Sequence, residues 1–222
     1  MIDKYPIPIR AVIFDLGGVL IRTEDRRPRT MLADAFGMTS PELEKIFFGG
    51  ESGDAAQRGD IPAAEHWETV RVALNLRPDE IEPVRTTFFS GDILDRQLFD
   101  YLISLRPRYR TVALSNAMSD ARPSLLNKWK IGEAFDQLFI SAEMGLMKPD
   151  PRIYLAVLDQ LAPSPSLYVR ASPYLGAGLA PAETVFIDDF HHNIEAAQAL
   201  GMRTVWFRNR EQTIEALEGM LK

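Results

Sequence analysis

Four short stretches of this 222-residue chain carry side chains suited to phosphate chemistry. Asp15 follows the apolar run Ala11-Val-Ile-Phe, and Ser115-Asn116 closes Thr111-Val-Ala-Leu. Lys148 sits in Gly145-Leu-Met-Lys-Pro-Asp-Pro151, and the pair Asp188-Asp189 ends Thr184-Val-Phe-Ile. Three acids, a hydroxyl and an amine gathered at one place suit Mg2+-assisted phosphoryl transfer. Carboxylate oxygens are hard donors, and Mg2+ takes a few of them while keeping several waters. Lys and backbone N–H groups suit the negative charge spread over a transferring phosphoryl group. Two adjacent acids at a buried strand end are costly unless a cation balances them.

The elements that must bring these residues together read from short apolar runs. Strands are predicted at Ala11–Asp15, Thr111–Ser115, Gln137–Ser141, Thr184–Asp188 and Arg203–Phe207, each bounded by polar or turn residues. Helix-period stretches lie between them at Asp92–Leu105, Ser119–Lys130, Asp150–Leu161 and Asn193–Leu200. This alternation predicts an α/β fold, a doubly wound, mostly parallel, Rossmann-like sheet covered on both faces. In such a sheet ligands bind beyond the carboxyl ends of the strands, where the strand order switches. Asp15, Ser115 and the Asp188–Asp189 pair all stand at such ends.

From Thr23 to Gly91 the alternation stops. Helices are predicted at Pro28–Phe36, Ser40–Phe48, Pro62–Leu74 and Pro78–Phe89, with Ser40 as an N-cap ahead of Pro41 and the acids of the first turn. An all-helical block of this size between the first two strands is too large for a crossover. It reads as a small helical domain, residues 23–91, inserted into a core of residues 1–22 and 92–222. Phe47, Phe48, Trp67, Phe88 and Phe89 read as the insert's own core, with Arg58 and His66 as specificity candidates by location alone. Residues 162–181, rich in Pro and Gly, read as a long loop feeding the amino end of the fourth strand, suited to a surface or interface role.

Phe14-Asp-Leu-Gly-Gly-Val-Leu20, Leu114-Ser-Asn116, Lys148-Pro-Asp-Pro151 and Phe186-Ile-Asp-Asp189 resemble, in order and spacing, the four motifs of the haloacid dehalogenase-like hydrolase superfamily. The helical insert resembles that family's cap in its first position, and the resemblance spans about residues 9 to 210. It implies a phosphatase in which Asp15 is a nucleophile forming an aspartyl-phosphate. Ser115 and the backbone of Asn116 would bind the phosphoryl oxygens, and Lys148 would neutralise the phosphate and Asp15. Asp15, Asp189, the Gly17 carbonyl and, through water, Asp188 would hold Mg2+. Gly17 and Gly18 would form a tight turn close to substrate, where a Cβ would intrude.

One departure stands out. Phosphatases of the family usually carry a second Asp, the general acid and base, two residues after the nucleophile; here that position is Gly17. Losing a general acid costs roughly 10²–10⁴ in rate unless something replaces it. The Asp-x-Gly pattern resembles a subgroup that includes sugar 1-phosphate phosphatases, whose leaving group is better than a simple alcohol. Substrate-assisted protonation, a metal-bound water, Glu24 and His191 are the open surrogates. Two other readings remain beside the phosphatase: a metal-free 2-haloacid dehalogenase, and a degenerate module that binds a phosphorylated ligand or a protein without turnover.

Composition bounds the rest. With no Cys, a disulfide scaffold, a thiolate nucleophile and thiolate metal sites are excluded. A three-His zinc site would need all of His66, His191 and His192, two of them adjacent. His191 and His192 read instead as first-turn helix residues, and Asn193 as a capping or bracing residue. The net charge of −6 argues against broad nucleic-acid binding. Arg22, Arg26, Arg27 and Arg29, interrupted by Glu24 and Asp25, read as a solvated face or pocket rim. No stretch approaches ~18 uncharged apolar residues, so no membrane span is predicted. Residues 1–10 lack the apolar core of a signal peptide, and a cytoplasmic location is the expectation. The expected partner is a small phosphorylated metabolite, with monomer and homodimer both open.

Overall fold

The computed structural model describes residues 7–161 and 178–221. β1 (Ala11–Phe14) leads through a tight turn to β2 (Ile21–Thr23) and then to five helices: α1 (Arg27–Ala35), α2 (Ser40–Phe48), α3 (Gly50–Arg58), α4 (Ala63–Ala73) and α5 (Ile81–Phe88). β3 (Asp92–Leu94) returns antiparallel to β2, and α6 (Arg96–Leu105) and β4 (Arg110–Ser115) follow. The single turn α7 (Ala121–Pro123) runs into a π-helix at Ser124–Lys128. Next come β5 (Gln137–Ile140), the short α8 (Ser141–Met144), α9 (Pro151–Gln160), β6 (Thr184–Asp188), α10 (His191–Ala199), β7 (Arg203–Trp206) and α11 (Arg210–Met220).

Five strands form one parallel sheet in the order β5-β4-β1-β6-β7. Alternate residues of a strand face opposite sides, and here both sides find a core. Val12, Phe14, Ala113 and Ile187 pack with Leu98 and Leu102 of α6 and Leu217 of α11. Ile13, Val112, Leu114 and Phe186 pack with Tyr154 and Val157 of α9 and Ile194 of α10. That double coverage explains why β1 and β6 are apolar without alternation and buried along their whole length. Chain order moves outward from β1 through β4 to β5, then returns across it to β6, so the switch falls beside β1.

The insert has its own core, in which Phe47 stacks on Phe88 at 3.8 Å beside Leu43 and Val70. Phe48, by contrast, is 39% exposed. Arg29 belongs to this core rather than to a solvated face: it is 8% exposed, lies 4.3 Å over the Phe88 ring, and pairs with Asp92 and Glu44. Arg22 and Arg27 pair with neighbouring acids instead.

Several predicted elements differ in detail. Asp92–Leu105 is a strand followed by a helix, because Asp92–Leu94 pairs with β2 and Asp95 caps α6 by accepting the Leu98 amide at 3.0 Å. Ser119–Lys130 is not a regular helix; Pro123 has no amide to donate, and the chain widens into a π-turn there. The cap of α2 is Thr39, whose amide and hydroxyl both donate to Glu42 at 2.7 Å, with Ser40 already inside the helix. α3, β2 and α11 were not anticipated. Most of the Pro/Gly-rich segment, residues 162–177, lies outside the described residues; beyond it, Leu179 is buried and its amide donates to Leu158 O. Among the described residues no helix is long and apolar enough to cross a membrane.

Candidate active site

The carboxyl edge of the sheet brings the predicted acids and the lysine into contact. Asp15 follows the last residue of β1, and its amide extends the parallel ladder by donating to Ile187 O at 2.9 Å. This holds Asp15 beside Asp188, the final residue of β6. Ser115 ends β4 next to β1, only 7% exposed, and its hydroxyl has no hydrogen-bond partner among the described residues. Lys148 arrives from the loop after α8, which turns at Gly145 in the left-handed region.

Lys148 is 2% exposed and sits between two carboxylates, its Nζ 2.9 Å from Asp15 Oδ1 and 2.7 Å from Asp188 Oδ2. Two hydrogen bonds hold its backbone: its amide donates to Asn116 Oδ1 and its carbonyl accepts from Asn116 Nδ2, both at 2.8 Å. The Asn116 side chain therefore braces the lysine loop, a role not anticipated for it. Asn193, in the first turn of α10, donates to both Asp188 oxygens at 3.0 Å, and the Phe190 amide adds a bond at 2.8 Å. Its carbonyl in turn accepts from the Tyr154 hydroxyl at 3.1 Å. The only sequence signal for Asn193 was its place just after the acid pair.

Asp189 differs from its neighbour. Its Oδ1 is buried with no hydrogen-bond partner. Gly18 lies against it, at φ +79°, where an added Cβ would run into the Asp189 carboxylate. Gly17 does not share this restriction. Its φ is not positive and an added Cβ would meet nothing within 4 Å. Within the protein itself, only Gly18 takes the turn against Asp189 and has no room for a Cβ.

Oxygens of Asp15, Asp188 and Asp189 lie within 4.8 Å of one another. Three acids gather around one ammonium group in a buried place, which bears on Asp15, Asp189 and Lys148 in different directions. Burial pushes Asp15 up to about 7, with Lys148 opposing and the two other acids adding to the rise. Burial and then the adjacent Asp188 push Asp189 up to about 6. Burial works against the Lys148 charge, but Asp15 and Asp188 outweigh it and hold its pKa above the ordinary value. A hard divalent cation fits this set: oxygen donors only, an excess of negative charge, and one buried carboxylate oxygen without a partner.

Neither named surrogate acid joins this cluster. Glu24 pairs with Arg22 at 2.9 Å, and His191 lies 4.5 Å from the Trp206 ring and 3.3 Å from Glu195. His66 is fully buried inside the insert, bonded to Ser52 and to Phe47 O, so it lines no binding surface. Arg58 is half-buried and pairs with Asp60, its guanidinium 4.0 Å from Met147 Sδ beside the lysine loop.

The haloacid dehalogenase-like hydrolase family model matches residues 9–201. Among curated relatives, mouse bifunctional epoxide hydrolase 2 is 28% identical over 130 residues, which are 56% of this chain and 21% of that protein. The chain thus spans about a fifth of that relative's length. D-ribitol-5-phosphate phosphatase of Bacteroides thetaiotaomicron is 25% identical over 214 residues, 88% of this chain and 90% of the relative. A solved HAD family enzyme from the same organism, in complex with magnesium and inorganic phosphate, superposes with a TM-score of 0.69 at 26% identity, over 90% of this chain and 94% of that one.

Proposed function

The chain belongs to the haloacid dehalogenase-like hydrolases, and from that membership we propose a Mg2+-dependent phosphatase that cleaves a small phosphomonoester through an aspartyl-phosphate on Asp15. The observation that carries this reading is the buried cluster in which Asp15, Asp188 and Asp189 outnumber Lys148 and one Asp189 oxygen lacks a partner. The phosphatase and the magnesium–phosphate complex among the similar proteins support it.

Asp15, Asp189 and the Gly17 carbonyl would hold Mg2+, with Asp188 acting through water, since its own oxygens are already taken by Lys148, Asn193 and the Phe190 amide. When bound, the cation supplies charge neutralisation at the phosphoryl oxygens. The remaining work falls to the chain. Asp15 attacks phosphorus, forming an Asp15–O–P bond while the ester P–O bond breaks and the leaving oxygen takes a proton from solvent water, which recovers it from the water that attacks in the second step. Lys148 keeps the buried nucleophile and the incoming phosphate electrostatically tolerable. The Ser115 hydroxyl and the Asn116 amide donate to phosphoryl oxygens. Water then attacks phosphorus, the bond to Asp15 breaks, and inorganic phosphate leaves with the carboxylate restored.

Gly17 offers no acid for the leaving oxygen, so a substrate whose leaving group is weakly basic, such as a sugar 1-phosphate, suits this chain best. In this reading residues 1–22 and 92–222 form the core, and residues 23–91 form a cap that covers the site and selects the substrate. Mg2+-dependent hydrolysis of a generic phosphoester should fall by about a thousandfold or more in Asp15→Asn. Undiminished turnover in that variant refutes the mechanism. Chelator-resistant halide release from a 2-haloacid would assign the site to dehalogenation instead.

A further inference from the structure

The amino-terminal edge of the sheet, the opposite end of β1 and β4 from Asp15 and Ser115, holds a cavity of about 520 Å3 lined by Arg10, Arg106, Arg108 and Arg110, with Ile9 and Leu179 among its apolar walls. Arg10 precedes β1 and Arg110 opens β4, so the parallel ladder sets them side by side; the Arg110 amide donates to Arg10 O at 2.9 Å. Arg106 and Arg108 come from the turn between α6 and β4. That turn is tied down by the Arg108 and Tyr109 amides on Leu105 O, at 3.0 and 2.9 Å, and by the Tyr109 hydroxyl on Leu221 O.

Four guanidinium groups around one concavity repel one another, on a chain whose net charge is −6. Two carboxylates offset part of this. Arg106 pairs with Asp136 at 2.8 Å and Arg10 with Glu183 at 3.3 Å. Asp136 is fully committed: burial raises its carboxyl, but the Thr111 amide and Arg106 outweigh burial and hold it below the usual range. Arg108 and Arg110 form no ion pair among the described residues.

We propose that this cavity binds a small polyanion bearing a phosphate or pyrophosphate group. The planar forks of Arg108 and Arg110 match phosphate oxygens, and the cavity's size falls in the range of small-molecule sites. Ile9 and Leu179 face the uncharged part of the ligand. Five residue steps of extended chain lead from Arg10 to Asp15, about 17 Å, so the site is distinct from the carboxylate cluster. The inference stands independently of the phosphatase reading.

Equilibrium dialysis of the full chain against radiolabelled pyrophosphate, with chelator present, tests it. The wild type and Ser115→Ala should both retain the probe, whereas Arg108→Ser/Arg110→Ser should bind about tenfold more weakly or worse. Arg108→Lys/Arg110→Lys keeps the charge and should fall between them, which separates lost recognition from a damaged fold. Wild-type affinity in the Ser/Ser variant overturns the proposal. So does loss of the probe in Ser115→Ala, or a wild type that retains nothing at about 1 mM.

Discussion

Lys148 is outnumbered by the acids it serves, and that imbalance has a measurable consequence at the scale of single residues. With Asp15 near 7 and Asp189 near 6 against an ordinary value of 3.8, these two groups bind more protons in the folded metal-free protein than in the unfolded chain across that window. The contribution of these two groups to stability therefore falls as pH rises from about 4 to about 7. A cation that needs both carboxylates ionised binds better at the top of the window and displaces protons within it. Mg2+ should accordingly raise the melting temperature more at about pH 8 than at about pH 5; equal shifts, measured by calorimetry, would contradict the assignment. The placement of Asp15, Ser115, Lys148, Asp188 and Asp189 at the carboxyl edge was legible in the sequence, because each ends or directly follows a strand or sits beside a Pro in a turn. The side-chain role of Asn116 was not, and Asn193 was readable as a bracing residue without its partner, since what each braces is decided by where other strands end. His66 misled for the same reason: its position in the insert says nothing of Ser52 and the Phe47 carbonyl on either side of it.

At the scale of elements, the insert meets the core through a few directed contacts. Asp120, just before α7, accepts from Trp67 Nε1 of α4 and from the Arg85 guanidinium of α5, both at 2.8 Å, and Arg85 lies 4.0 Å over the Trp67 ring. Ser141, at the start of α8, donates to Gln57 O of α3 at 2.6 Å. Gly59, which ends α3, passes so close to Ala142 that a Cβ would run into its carbonyl oxygen. Because Asp120 is 38% exposed on its side chain, Asp120→Ala should cost only about 1 kcal/mol in denaturant unfolding. Asp120→Asn, which keeps one acceptor oxygen, should cost less; equal stability of both variants to the wild type would show that the contact does not hold the insert. α3 carries little sequence signal because Gly50 and Gly53 are poor helix formers, yet Gly53 is needed inside the helix, where a Cβ would come within 2.8 Å of Phe48 O. β2 and β3 are three residues each, too short for any alternation to appear.

Across the whole molecule, the sheet separates two kinds of charge: acids gathered at its carboxyl edge and arginines at its amino edge. The fold class was legible because continuous apolar runs can only be buried on both faces, which dictates a parallel sheet between helices. The arginine cavity was not, because Arg10 and Arg106–Arg110 become neighbours only once β1 and β4 pair. The same pairing governs Asp15, whose amide is part of the central ladder through its bond to Ile187 O. An amide in that position opens only when the sheet does. Its deuterium exchange should therefore report the free energy of global unfolding found by denaturation, and markedly faster exchange would show local opening at the site. Asp15 then has no private mode of failure: on heating, any activity that depends on it should persist until the sheet itself comes apart, and the two should vanish in one transition.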